Sequence, residues 1–395
     1  MATRPPALPS TAVLVALTAV GPIGMQMLLP ALPSVARDLG APVSSVQLLV
    51  TLYMLMIATG QLIYGPLSDR FGRRLPLIVG LGILIAGSMI CASATSLTLL
   101  VTGRVIQAVG GCAGLVMARA MVRDVHVADK AVIVLGRVAM VQTIVPAVAP
   151  ILGGLLLMLW SWRMPFLAVA LVGVWLFVSA WRMDETIQHR TALPSVWSIL
   201  RNYARLLRLR EFVVPALALG CTSIAFNAFT TIAPALMDDV LGIPAAWFGA
   251  YFVFLPAGFF IGSYLAIRLT PRIGAARTGM IGAAIGSAAG GALFIHLFVA
   301  PPTAAALFFI MGFMTVGNGL NQAALTVRAV SADPRLIGAA SGLVGFVHLG
   351  LGAAGAQFIA VIYDRTIMPV ALSVMGAELA VLILLVAFPP RAVKT

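Results

Sequence analysis

The sequence predicts an all-α integral membrane protein of about twelve transmembrane helices, arranged as two six-helix bundles with both termini in the cytoplasm. Three observations predict it. Of the 395 residues, 61% are hydrophobic and 9% charged, whereas a water-soluble domain is about 45–50% apolar and about 25% charged. The few charges fall at regular distances and leave uncharged intervals long enough for a helix of about 20 residues to cross the hydrocarbon core. The basic excess, 25 Lys and Arg against 12 Asp and Glu for a net +13, collects in every second gap between those intervals.

The intervals give the helices in order. Residues 4–37 hold the first and 38–69 the second. The stretch 74–119 is interrupted only by Arg104 and holds the third and fourth, parted by a turn at 93–96. The fifth lies in 137–163 and the sixth in 163–182. Residues 183–211 form the longest polar interval and read as a cytoplasmic linker between bundles spanning 1–182 and 212–395. The seventh helix then occupies 211–238 and the eighth 239–268. The ninth and tenth share 277–328, parted at Pro301 and Pro302. The eleventh lies in 335–364, and the twelfth follows Arg365 and contains Glu378. Within the linker, Arg201, Arg205 and Arg208 recur at helical spacing, with Trp197, Leu200, Ala204 and Leu207 on another face. That pattern fits an amphipathic helix in the headgroup region, and equally a solvated linker helix.

The odd gaps carry little positive charge: Arg37, Arg163 and Arg365, beside Asp38, Asp238, Asp239 and Asp364. The even gaps carry Arg70, Arg73, Arg74, Arg123, Lys130, Arg182, Arg190, Arg201, Arg205, Arg208 and Arg210, then Arg268, Arg272, Arg277, Arg328 and Arg335 in the second half. By the positive-inside rule the even gaps and both termini face the cytoplasm. The basic excess is therefore orientation and not a nucleic-acid footprint, and no nucleic-acid partner is expected. The N-terminus shows Arg4 and three prolines but no A-x-A cleavage pattern, so the first span reads as an anchor. Three cysteines inside apolar runs and four dispersed histidines give no metal-ligand spacing. No metal or other cofactor is expected. No H-E-x-x-H, G-x-S-x-G or P-loop occurs, which argues against an enzyme and against ATP-driven transport.

The most specific run is GPLSDRFGRR at 65–74. Gly65 allows close helix approach, Asp69 ends a helix, Gly72 permits a tight turn, and Arg70, Arg73 and Arg74 hold the turn at the membrane surface. This run resembles the signature loop of the major facilitator superfamily, and the resemblance extends along almost the whole chain. It implies a secondary transporter with a midplane site between two six-helix halves. It further implies a conformational latch, in which Asp69 meets the start of the eleventh helix near Gly338 and Arg73 meets Asp124 or Asp129. The equivalent turn of the second half, from Gly262 through Arg268, Arg272, Gly274 and Arg277, lacks the aspartate.

In the fourth helix, Arg104 sits inside the membrane, where an arginine costs about 2.5–3.5 kcal/mol on insertion scales and is functional by default. Gln107 lies one turn on, on the same face. The run resembles the family's R-x-x-Q-x-x-G motif, which implies a proton-coupling role for Arg104; a purely structural arginine bonded to backbone carbonyls is the alternative. Arg119 and Asp124 close this helix in a conformational role. In the fifth helix, Pro146, Ala149, Pro150, Gly153 and Gly154 combine proline kinks with small packing residues. They resemble the antiporter motif of facilitator exporters, with Val145 departing from it.

The finer resemblance is to the Bcr/CflA branch of drug-resistance exporters, carried by the LPALP run at 29–33, ARAMVRD at 118–124 and AASG at 339–342. That branch carries an acid in the first helix where this chain has Gln26, so any proton coupling needs another group. Glu378 is the one acid inside a predicted span and is a proton candidate, or else a neutral hydrogen-bonded acid; His348 is a second candidate. The resemblance implies a substrate cavity lined by Gln26, Arg104, Gln107, Phe226, Asn227, Phe229, Asn318, Asn321 and Gln322. Met25, Met27, Met54 and Met56 would make it adaptable, or are ordinary packing. The expected activity is proton-coupled efflux of amphipathic small molecules from the bacterial inner membrane by a monomer. A dedicated metabolite or siderophore transporter is the alternative.

Overall fold

The computed structural model describes residues 10–125, 128–187 and 195–389. Arg4 and Arg190 lie outside the described residues, as do the side chains of Arg123, Asp129, Lys130 and Arg137. Among the described residues every regular element is helical. The long helices are α1 (Thr11–Gln26), α2 (Leu48–Phe71), α3 (Arg74–Ala92), α4 (Leu97–Val125), α5 (Ala128–Leu159) and α6 (Met164–Trp181). After a linker helix (Val196–Leu206) come α7 (Arg210–Asp239), α8 (Phe254–Ile273), α9 (Ala275–Val299), α10 (Ala304–Val330), α11 (Ile337–Ile362) and α12 (Met368–Ala387). Eleven spans among the described residues are long and apolar enough to cross a membrane, and α5 adds the apolar stretch Ile144–Leu159.

Three expected helices are broken, the second only by a separate short helix (Val43–Val46) ahead of α2. The first ends at Gln26 and gives way to a 3-10 turn (Leu29–Ala31) and a short helix (Leu32–Asp38). Pro30 and Pro33 cause this, because neither offers the N–H that would continue the ladder. The eighth begins with a separate short helix (Phe248–Phe252) before α8. Elsewhere the ends have local causes. Ser10, Ser195 and Thr303 each accept a backbone N–H at a helix start. Gly72 stops α2 at φ +92°, a conformation that favours glycine.

The chain divides into two compact units, Met1–Pro194 and Ser195–Thr395. In the first, α3 and α4 approach until their backbones nearly touch: a Cβ on Gly87 would lie 2.7 Å from Gln107 Cα, and one on Gly110 would lie 2.7 Å from Leu84 Cα. Small residues permit this contact, which dispersion rewards in a lipid solvent. In the second unit, α10 packs on α8 and α9, and α7 packs on α11 and α12. The linker helix groups with this second unit. Leu206 is buried in its core beside Phe212 and Leu343, and Arg205 pairs with Asp333 at 2.8 Å. Trp197, Leu200 and Leu207 remain exposed. Exposed Leu171, Trp175, Ile267, Phe298 and Phe358 give the long helices an apolar outer surface, as a lipid-facing protein requires.

Candidate functional site

The α2–α3 turn is built around Arg73. Its Nε and Nη2 donate to the two carboxylate oxygens of Asp124 on α4 at 2.8 and 3.3 Å, a forked geometry that suits guanidinium and carboxylate. Nη1 donates to Asp69 at 2.6 Å and to Ser68. Burial works against the Arg73 charge, but the bonds to Asp124 and Asp69 outweigh it and raise its pKa. Of the two acids the resemblance offered as partners, Asp124 is in contact, and the Asp129 side chain lies outside the described residues. Arg74 donates to the Trp181 carbonyl at the end of α6, and Arg70 lies over the Phe71 ring.

Sequence reasoning missed Glu185. Its carboxylate accepts from the backbone N–H of Arg73 at 2.8 Å and of Arg74 at 3.3 Å, at the start of α3. The unsatisfied donors and positive dipole end of a helix N-terminus favour such an anion. The same carboxylate accepts from Thr186 and Ile187 N–H, which fixes the segment after α6. Gly72 makes room for it, since a Cβ there would be 2.7 Å from Glu185 Cδ.

Arg104 is 0% exposed and enclosed within the first unit. Nε donates to the Leu49 carbonyl at 3.2 Å, and Nη1 to the Gly24 carbonyl at 3.1 Å and to Gln107 Oε1 at 2.6 Å. The guanidinium stacks on Tyr53 with 4.0 Å from Cζ to the ring centre, a cation–π contact. Tyr53 in turn donates to the Gly21 carbonyl at 2.9 Å, and Gln107 donates to Ser88 at 2.8 Å. Nη2 has no partner, and among the described residues no carboxylate pairs with Arg104. Gln26 is buried nearby in sequence, past Gly24, with Oε1 unpartnered. The α5 motif meets the same end of α1: Gly153 lies so close that a Cβ would be 3.0 Å from Met27 Cα. Pro146 and Pro150 both lie inside α5, and Ala149 and Gly154 are in it. Arg119 is exposed.

In the second unit, Glu378 is 0% exposed on α12 with both carboxyl oxygens unpartnered. Asn318 on α10 adjoins it, and Asn321 is one turn along the same helix. Asn227 donates to Ser223 in its own helix. Phe229 packs edge-on against Phe308, and Phe226 against Phe252. Gln322 is half-buried. His348 Nδ1 lies 2.9 Å from the Leu219 carbonyl, so that nitrogen carries the hydrogen. Among the described residues no group of three His, Cys, Asp or Glu could hold a metal.

The model of the Major Facilitator Superfamily matches residues 14–357. The chain belongs to the major facilitator superfamily. It is a multi-pass membrane transporter and not an enzyme. This facilitator is 30% identical over 345 residues to the uncharacterized MFS-type transporter YdgK of Bacillus subtilis (strain 168), covering 85% of each chain. It is 29% identical over 364 residues to a chloramphenicol resistance protein of Pseudomonas aeruginosa, covering 88% of this chain and 83% of that one. Such relatives agree with the Bcr/CflA resemblance. The crystal structure of a D-xylose-proton symporter superimposes with a TM-score of 0.75 at 14% identity, covering 96% and 97% of the two chains, a likeness of fold.

Proposed function

We propose that this facilitator is a secondary active exporter of amphipathic small molecules, working by alternating access as a proton antiporter in the bacterial inner membrane. The observation that carries the reading is Arg104: an ionised group enclosed in a membrane span, held by carbonyls and Gln107 with one donor left over. Intramembrane charges of this kind mark substrate and proton pathways. The resistance activity in the name of the Pseudomonas relative supports efflux and makes chloramphenicol a natural first substrate. Arg104, Glu378 and His348 are the proton-coupling candidates. Substrate contacts are assigned to Gln26, Gln107, Phe226, Asn227, Phe229, Asn318, Asn321 and Gln322. The Arg73 cluster with Asp69, Asp124 and Glu185 is the latch, and the linker helix lies in the headgroup region of the cytoplasmic leaflet.

The test is accumulation of labelled chloramphenicol and a broad panel of dyes in cells expressing the chain. Lower accumulation than in vector controls, abolished by an uncoupler and by Arg104→Ala, is the expected result. No difference from vector across the panel would overturn efflux. Gln26 favours a second reading, a dedicated metabolite or siderophore transporter not driven by protons, because a glutamine carries no exchangeable charge. Reconstituted transport that ignores an imposed pH gradient would select it.

A further inference from the structure

We propose that Glu378, Asn318 and Asn321 form a binding site for a small monovalent metal cation, with Na+ as its probe, inside the second unit. Glu378 lies midway along α12, fully buried, and both its carboxyl oxygens lack a partner. Gly286 of α9 makes its niche: a Cβ there would stand 3.0 Å from Glu378 Cδ. Ser287 beside it donates to the Glu378 main-chain carbonyl at 3.0 Å, so that hydroxyl proton is committed to the backbone and does not serve the carboxyl.

On α10, Asn318 adjoins the carboxyl and has Oδ1 unpartnered, and one turn along both amide atoms of Asn321, which is 0% exposed, are unpartnered too. Residues three apart on a helix share a face, so these two side chains leave α10 together. Gly282 keeps α9 against that turn, since a Cβ there would be 3.0 Å from Asn321 N. Buried polar atoms are almost always paired, and several unpartnered ones on packed helices point to a ligand.

The donor chemistry decides the ligand. Four oxygens have no partner within 3.5 Å, Oε1 and Oε2 of Glu378 and Oδ1 of each asparagine, against a single such amide nitrogen, that of Asn321, while the Asn318 amide adjoins the carboxyl as its one nearby donor. A proton turns one of those oxygens into a donor and leaves the others in excess. A cation serves several at once, and hard cations prefer carboxylate and amide oxygen. One carboxylate balances one positive charge; a divalent ion would leave an uncompensated charge in a low-dielectric interior. Among the described residues no Lys or Arg pairs with Glu378. Of the titratable groups on neighbouring helices, Cys221 of α7 faces the carboxyl and His348 of α11 is engaged with Leu219; Arg210, Glu211, Asp238 and Asp239 of α7, Arg277 and His296 of α9 and Arg328 of α10 lie toward the helix ends. The site takes Glu378 from the proton-coupling candidates and Asn318 and Asn321 from the substrate contacts of the proposed function, and gives these three side chains to a cation; it does not depend on the direction of transport.

The experiment is thermal unfolding of the purified full-length protein in detergent, titrated with NaCl against choline chloride at constant ionic strength, repeated from about pH 6 to about pH 9. Na+ is expected to raise the melting temperature by several degrees by ~100 mM, with the increment shrinking as acid competes for Glu378. Glu378→Gln should abolish the increment, and Asn318→Ala and Asn321→Ala should each raise the half-saturating Na+ concentration about tenfold. If the Gln variant does not fold, the wild type and the two asparagine variants decide. No Na+-specific increment in the wild type overturns the site, as does an unchanged increment in Glu378→Gln. Stabilisation by acid alone, with no response to Na+, also overturns it in favour of a proton. Drug accumulation in cells is not read here, so efflux and the cation site can each fail alone.

Discussion

Glu185→Ala tests how the α2–α3 turn is held. The substitution removes a carboxylate that accepts from Arg73 N–H and Arg74 N–H at the first turn of α3, and from two N–H groups of its own segment. The donors of Thr186 and Ile187 can return to water, so the loss is counted on the helix start alone. A hydrogen bond to a charged group is worth about 1.5–3 kcal/mol net. The Arg74 bond is long at 3.3 Å and the site is only part-buried, so the sum is held to about 2 kcal/mol. A unit of this size loses about 2–4 °C in melting temperature per kcal/mol, giving a fall of about 4–8 °C. The assay is a thiol-reactive dye: Cys91 and Cys112 are buried in the first unit and become reactive as it opens. Glu185→Gln retains one acceptor oxygen and should fall about half as far. Melting of Glu185→Ala within about 1 °C of the wild type would refute this account.

Other outcomes follow from the same geometry. Arg104→Lys keeps the charge but not the fork that reaches Leu49, Gly24 and Gln107 at once; transport should drop at least about tenfold with the protein still expressed, and wild-type rates would contradict it. Gly110→Val should prevent folding or lower melting by more than about 10 °C, because a Cβ there meets the α3 backbone. Gly291→Ala, with nothing within 4 Å of the added methyl, should raise melting by about 1–4 °C; equal effects of the two would contradict the packing. Tyr363, just past α11, has its pKa raised by burial and then by Asp239. Its contribution to stability is therefore full below about pH 10 and lost as pH climbs past that value. Tyr363→Phe should flatten the alkaline fall in melting temperature, and an unchanged fall would count against it. Trp197 is 75% exposed on the linker helix; the fluorescence it adds over Trp197→Phe should be quenched by brominated lipid in reconstituted vesicles, and its persistence would place that helix in water.

The spans were legible because crossing hydrocarbon demands an uncharged run of fixed length, and 9% of charged residues punctuate this chain sharply enough to mark each run. The GPLSDRFGRR turn was legible for a related reason: its glycines, acid and arginines interact within ten residues, and Arg73 does hold Asp69. Arg104 and Glu378 stood out because a charge in a membrane span is rare. What surrounds them was not legible. Arg104 is ligated by the carbonyls of Gly24 and Leu49, and a backbone carbonyl leaves no mark in a sequence. Glu185 reaches Arg73 across 112 positions from a segment whose polarity matches any linker.

The amino-acid sequence by itself therefore determined the helical membrane fold, which rests on local periodicity and on the cost of placing charge in lipid, and the family, which rests on short local motifs. Only the tertiary structure decided that Asp124 joins Asp69 on Arg73, and that the linker helix docks on the second unit through Leu206 and Arg205. It alone brought Glu378 to Asn318. That meeting depends on how α9, α10 and α12 are rotated, and the rotation is set by where Gly282 and Gly286 let backbones approach. Helix rotation is a property of packing, decided by contacts far apart in sequence.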